Sequence, residues 1–256
     1  MKYTLRKIIG KIPGSFWLYR RVQEFLVWLS FRREFNAFKK KSDPSRFPVN
    51  WSDRYPCLGD RISETPFDRH YVYHTAWAAR ILAQTRPAEH VDVSSSIYFV
   101  TAVSAFIRIR FYDYRPADLK LSGLNSEFAD VTALSFADNS ISSLSCMHVV
   151  EHVGLGRYGD ALDPNGDLKA MAHLQRVLQR GGNLLFVVPV GKPKVMFNAH
   201  RIYSYEQIIT TFASLKLREF SLVPDDPNQG GLIRNASLKL ADQQEYGCGC
   251  FWFQKP

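Results

Sequence analysis

Two acids stand about 20 residues apart, Asp92 and Asp113, and each lies at the end of a short apolar run. An acid that far beyond the first strand turn of a nucleotide-binding sheet can accept hydrogen bonds from both hydroxyls of a ribose. The same residue type at a strand end also caps the next turn, so both readings stay open for Asp113. Farther on, His148-Val-Val-Glu151-His152 is a spacing in which two histidines on a helix bind zinc and the glutamate acts as a base. That chemistry needs a helix and a third ligand, whereas here the motif follows a strand directly. Without the metal, His148 is the first choice for a general base and Glu151 stands beside it, because a neutral imidazole takes a hydroxyl proton near neutral pH. For His152 a structural hydrogen bond is the expectation. His70 and His74 sit four apart on an expected helix, and Cys248 and Cys250 share one strand face. Together they make a permissible zinc set, although buried strand cysteines and hydrogen-bonded helix histidines give the same pattern, and no metal is assigned.

These residues need a frame to position them. Thr65-Pro66-Phe67-Asp68 offers a capping-type start for a helix over 71–84, and after it short apolar runs alternate with helical stretches. Strands are expected at 90–93, 108–112, 128–132, 142–147, 183–189, 217–224 and 246–253. Helices are expected at 97–106, at 167–179 with a Gly181-Gly182 cap, and at 204–215. The alternation predicts an α/β fold, a Rossmann-like doubly wound and mostly parallel sheet, with the last two strands as an antiparallel hairpin at one edge.

The chain has 256 residues, 46% hydrophobic and 22% charged, which suits a globular protein. Four cysteines are too few for a disulfide scaffold and point to a reducing cytoplasm. The net charge of +9 belongs to one segment: residues 1–41 carry eleven Lys or Arg against Glu24 and Glu34. The remainder is neutral, so no nucleic-acid partner is expected. Trp17, Phe25, Leu26, Trp28 and other large apolar residues are mixed among those charges, in runs too short to span a bilayer. The composition predicts a basic amphipathic helical segment over 1–48, seated peripherally on an anionic inner membrane face, or packed on its own domain or a partner. Ser42 to Pro48 form the break, and 49–256 the main domain.

The run from Ala129 to Ser140, continued by Cys146 to Val153, resembles the third and fourth strand region of class I S-adenosylmethionine (SAM)-dependent methyltransferases. Leu168 to Leu178 followed by Gly181 to Pro189 is similar to that family's helix, turn and fifth strand, and His200 to Tyr205 to the segment covering its substrate mouth. The resemblance spans about 88–223. More narrowly, 51–256 resembles an uncharacterised methyltransferase-like family associated with bacterial surface-polysaccharide gene clusters. It implies SAM as cofactor, Asp92 and Asp113 at the first two strand ends with Asp113 on the ribose, Asp130 and the Val131 backbone around the adenine, and Met147 with His148 lining the cofactor and acceptor space. His200 joins His148 and Glu151 as a candidate catalytic residue. The family's glycine loop is replaced: Ser94, Ser96 and Tyr98 stand at its glycine positions, where the serines would face the methionine end and Tyr98 would fill or cover part of the pocket.

The implied function is methyl transfer to a sugar or glycolipid acceptor at the membrane surface. Two alternatives use other features: a non-catalytic methyltransferase-like binding module from the serine loop, and a zinc-dependent hydrolase from the His148 motif.

Overall fold

A computed structural model describes residues 15–256. Two compact units, Met1–Pro66 and Phe67–Pro256, divide the chain. Lys2, Arg6, Lys7, Ile8, Ile9, Lys11 and Ile12 of the basic segment lie outside the described residues.

The first unit is built on α1 (Ser15–Lys41). Trp28, Phe31 and Phe35, three and four apart, pack around Trp51, with ring centroids 4.8 to 6.1 Å away. Arg61 closes on Glu34 at 2.9 Å. The expected helix is present, but it is not amphipathic. Trp17, Leu18, Phe25, Leu26 and Phe38 are exposed on several sides, interleaved with Arg20, Arg21, Arg32 and Arg33. No helix among the described residues is long and apolar enough to cross a membrane.

The second unit begins with α2 (Arg69–Thr85), capped by Asp68, whose carboxylate accepts from the Tyr71 amide at 3.1 Å. Then come β1 (Glu89–Val93), α3 (Ile97–Val103), β2 (Arg108–Asp113), β3 (Leu124–Phe128), β4 (Ile141–Met147), α4 (Gly166–Val177) and β5 (Leu178–Val190). A small ribbon of β6 (Lys194–Met196) and β7 (His200–Ile202) precedes α5 (Tyr205–Thr211), β8 (Lys216–Val223), β9 (Ile233–Arg234), α6 (Leu238–Asp242) and β10 (Gly247–Gln254). The large sheet runs β3-β2-β1-β4-β5-β10-β8-β9. Its first five strands are parallel; β10 is antiparallel to both β5 and β8.

Side-chain alternation along β5 builds a core on each face. Leu184, Phe186, Val188 and Val190 meet α4 and α5 through Met171, Leu174, Ile208 and Phe212. Leu185 and Val187 meet α2 and α3 through Trp77, Ile81, Phe99 and Val103. Trp77 also donates its indole N–H to the buried Glu219 carboxylate at 3.0 Å, fastening α2 to β8.

The α/β reading holds, and the expected antiparallel pair closes the C-terminal side of the sheet. Its return strand β10 sits inside, between β5 and β8, with β9 and α6 in the connection. The strand expected over 128–132 is displaced: β3 ends at Phe128, and Asp130 instead caps a 3-10 turn, Val131–Ala133, by accepting from the Thr132 amide at 2.8 Å. Likewise α4 ends at Val177, before Gly181-Gly182, because Leu178 is already extended and in β5.

Candidate functional site

Parallel strands leave their carboxyl ends on one edge, and the turns there line two neighbouring cavities of about 350 and 560 Å³. Tyr71, His148, His152 and Tyr158 border both.

The first cavity collects Ser94 after β1, Asp113 at the end of β2, Asp130 and Val131 after β3, and His148 after β4. Ser94 adopts φ 58°, the left-handed conformation that glycine takes at least cost, so the backbone turn forms despite the missing glycine. Its amide donates to the Tyr112 carbonyl at 2.7 Å and its hydroxyl reaches the same oxygen at 3.2 Å. Asp113 does cap its own turn, accepting from the Arg115 amide at 2.7 Å, and it faces the cavity as well. The capping reading of this acid is observed, and its place on the cavity wall keeps it available to a ligand. A folded loop closes the far wall. Asp160 accepts from the Gly154 amide at 2.7 Å, and Gly154 is irreplaceable there: at φ 77° its Cβ would stand 2.1 Å from the Asp163 carbonyl oxygen. Buried Arg201 pins that loop by donating to the Val153 carbonyl at 2.6 Å.

Beneath β1 runs a buried polar chain. His90 contacts the Ser143 hydroxyl at 2.7 Å and the Ser145 hydroxyl at 2.8 Å, Ser145 donates to Asp92, and Asp92 accepts from the Ser95 amide at 3.0 Å. Burial pushes the Asp92 pKa up to about 6 and lowers that of His90 to about 3. Asp92 thus supports the loop from below and does not line either cavity. Ser96, which opens α3, lines neither cavity either. Met147 is also absent from the walls, because strand alternation buries its side chain against α2 and α3. Its amide, donated to the Ser95 hydroxyl at 3.0 Å, is what reaches the loop. Tyr98 neither fills nor covers the pocket: it is 87% exposed on the outer side of α3, whose Phe99, Val100 and Val103 face the core.

The second cavity is lined by His70, Glu151, His152, Arg157, His200 and Tyr246, among others. His148 stands at its junction with the first, at φ 57°. Its Nδ1 lies 2.7 Å from Glu151 Oε1 and its Nε2 3.4 Å from Cys248 Sγ. Burial alone would lower the His148 pKa, but the Glu151 carboxylate on its Nδ1 more than offsets that and raises it. Burial and Cys250 keep Cys248 a thiol, so Glu151 is the partner that holds charge on His148. A base at neutral pH must be sought elsewhere. His200 fits that need: burial, with His152, lowers its pKa, and its Nε2 is buried without a hydrogen-bond partner. Burial likewise lowers His70 to about 4.

The His148-x-x-Glu151-His152 motif forms a 3-10 turn and not a helix, with Glu151 spent on His148. His152 is satisfied structurally, its Nδ1 lying 2.6 Å from the Ala199 carbonyl oxygen. His74 bonds the His70 carbonyl through Nδ1 at 2.7 Å and packs edge-on against His148, outside the ligand group that His70 joins. Tyr71, Arg115, Arg157, Tyr158 and Tyr246 were not singled out by sequence. They come from loops and helix ends with no spacing signal.

A family model described as "Caenorhabditis protein of unknown function, DUF268" matches residues 117–221. That description carries no activity and no surface-polysaccharide context. No curated protein matches the chain. Among solved structures, it is similar to 1,6-didemethyltoxoflavin-N1-methyltransferase from Burkholderia thailandensis, at 12% identity and TM-score 0.51, over 91% of this chain and 89% of that one. It is also similar to the N-methyltransferase NodS from Bradyrhizobium japonicum WM9, at 16% identity and TM-score 0.50, over 77% and 91%. The fold is theirs. Both of those structures contain S-adenosylhomocysteine (SAH).

Proposed function

We propose that the chain is a SAM-dependent methyltransferase that binds its cofactor in the first cavity and an acceptor hydroxyl in the second. The observation that carries this reading is the shared wall of Tyr71, His148, His152 and Tyr158 between a cavity holding Asp113 and Asp130 and a cavity holding His200. Its polar groups suit the cofactor: a carboxylate at the end of β2 for ribose hydroxyls, a second after β3 for the adenine amine, and a left-handed turn at Ser94 for the amino-acid end. When bound there, the sulfonium supplies an electrophilic methyl carbon. Asp113 and Asp130 fix the cofactor, the loop closed by Gly154, Asp160 and Arg201 limits water, and Tyr71 and Tyr158 orient the two ligands toward each other. His200 accepts the proton that the acceptor hydroxyl loses as its oxygen bonds the methyl carbon. Most of the acceleration then comes from positioning.

A sugar or glycolipid is the acceptor class we infer. The second cavity presents Tyr71, Tyr158 and Tyr246 with Arg157 and four imidazoles, a set suited to stacking on and hydrogen-bonding to a polyhydroxylated ring. We infer an anionic membrane surface as the location, which the basic residues of 1–41 and the exposed Trp17, Phe25 and Phe38 support. Calorimetric titration with SAM and SAH tests the reading, with saturable one-to-one binding expected. Failure to bind either at millimolar concentration overturns it and leaves a non-catalytic module.

A further inference from the structure

Three elements far apart in sequence bring soft and imidazole donors to one point. His70 is in the first turn of α2, His148 follows β4, and Cys248 is in β10; their ligand atoms all lie within 4.8 Å of one another. We propose that His70, His148 and Cys248 bind a divalent transition-metal ion of the zinc class, with its remaining position open to the second cavity.

Four observations support the assignment. The separation of His148 Nε2 and Cys248 Sγ, 3.4 Å, is close to the edge of a zinc tetrahedron. Zinc–nitrogen bonds of about 2.0 to 2.1 Å and a zinc–sulfur bond of about 2.3 Å give an edge of about 3.5 Å. Next, the buried Glu151 carboxylate takes the Nδ1 side of His148 at 2.7 Å, which directs Nε2 to the metal and is how proteins orient ligating histidines. His70 is held between the rings of His148 and Tyr246 at 5.3 and 5.0 Å, which fixes its imidazole beside the other two ligands. Finally, two of the three ligands line the second cavity, whereas Cys248 seals the site from the core side. Cys250, its sulfur 3.8 Å from that of Cys248, is a neighbouring thiol outside the three-ligand group.

Metal entry displaces the Cys248 thiol proton and the proton on His148 Nε2, leaving thiolate and neutral imidazole as ligands. An open position beside the acceptor cavity suits a hydroxyl oxygen, whose proton would be more acidic once bound and would pass to His200. That role rests on the methyl-transfer reading; metal binding does not.

The test uses the reduced full chain, loaded with zinc and dialysed, with metal content measured by atomic emission and cobalt(II) used as a spectroscopic probe. One zinc per chain and a thiolate-to-cobalt charge-transfer band are expected. Cys248→Ser should abolish the band, and His70→Gln, at a half-buried position that tolerates the change, should weaken zinc binding strongly. Glu151→Gln should lower affinity about 10- to 100-fold as an orienting residue. Cys57→Ser, at an exposed position, should change nothing. Substoichiometric zinc without the cobalt band in a chain whose circular dichroism is that of a folded protein would overturn the site. So would zinc retained by Cys248→Ser, or a metal-free Cys248 alkylated rapidly at neutral pH, which would mark a thiol–imidazole nucleophile instead. SAH titration run in parallel separates loss of the metal site from loss of the cofactor reading.

Discussion

Glu151 Oε1 and His148 Nδ1 lie 2.7 Å apart in a turn where both side chains are buried, at the junction of the two cavities. The pair spends one edge of the imidazole on a carboxylate and leaves the other facing Cys248. Sequence spacing offered these residues as base and assistant; the contact makes Glu151 an orienting group, and the proposed methyl transfer assigns proton abstraction to His200 instead.

Replacing His200 with Gln should therefore slow methyl transfer by about 10²- to 10⁴-fold, the usual worth of a general base, while SAH affinity stays unchanged. His200 titrates below the ordinary imidazole value of 6.5, so wild-type activity should fall on an acid limb under that pH. The variant should lack the limb. Unchanged turnover, or a limb that persists, argues against this base.

Asp113→Ala should weaken SAH binding at least tenfold in calorimetry. Hydrogen bonds to a charged acceptor are worth about 1.5 to 3 kcal/mol each, and about 1.4 kcal/mol is a factor of ten. The lost cap on the Arg115 amide is local and leaves the melting temperature little changed. Equal affinity in the variant would remove Asp113 from the site.

The loop substitutions should separate conformation from contact. Ser94→Gly keeps the left-handed turn and should preserve folding and binding, whereas Ser94→Val should destabilise the domain by at least about 1 kcal/mol. Tyr98→Gly should leave SAH affinity unaltered, because the ring points to solvent. A large affinity change in Tyr98→Gly would return that ring to the pocket.

The buried His90–Ser145–Asp92 chain should leave a mark in the pH dependence of stability. Folding raises the Asp92 pKa from 3.8 to about 6, so its contribution is present at low pH and is lost as pH rises between those values. Folding lowers His90 from 6.5 to about 3, so its contribution is lost as pH falls across that interval. From about 4 to 6 the two slopes cancel. Asp92→Asn leaves His90 uncompensated, and thermal melts should show the variant losing stability relative to wild type as pH drops from about 6 to 4. Parallel curves would count against the shifted pair.

Liposome sedimentation should depend on the basic segment. The full chain should pellet with anionic vesicles at low salt, release as salt screens the charges, and lose binding when 1–41 is removed. Since that removal also bares Trp51, a charge-reversed segment is the better control. Equal sedimentation of full and truncated chains would exclude this role.

Local pattern determined much of this protein. The apolar runs located β1, β2, β4, β5, β8 and β10 to within a few residues, Thr65 to Asp68 marked the start of α2, an acid at a strand end put Asp113 on the cavity edge, and the family resemblance put Asp130 there. Such features depend on neighbours in sequence: periodicity, caps and the shared direction of parallel strands. The polar edge strand β3 carries a weak apolar signal, and its expected position slipped into the turn that Asp130 caps. Strand alternation against both helical layers turned Met147 into the core, and the face of α3 turned Tyr98 outward. Nothing local reveals that Cys248 meets His148, 100 residues away, and His70. That meeting exists because β10 pairs antiparallel between β5 and β8, carrying its cysteines under the first turn of α2, and only the assembled sheet fixes that register.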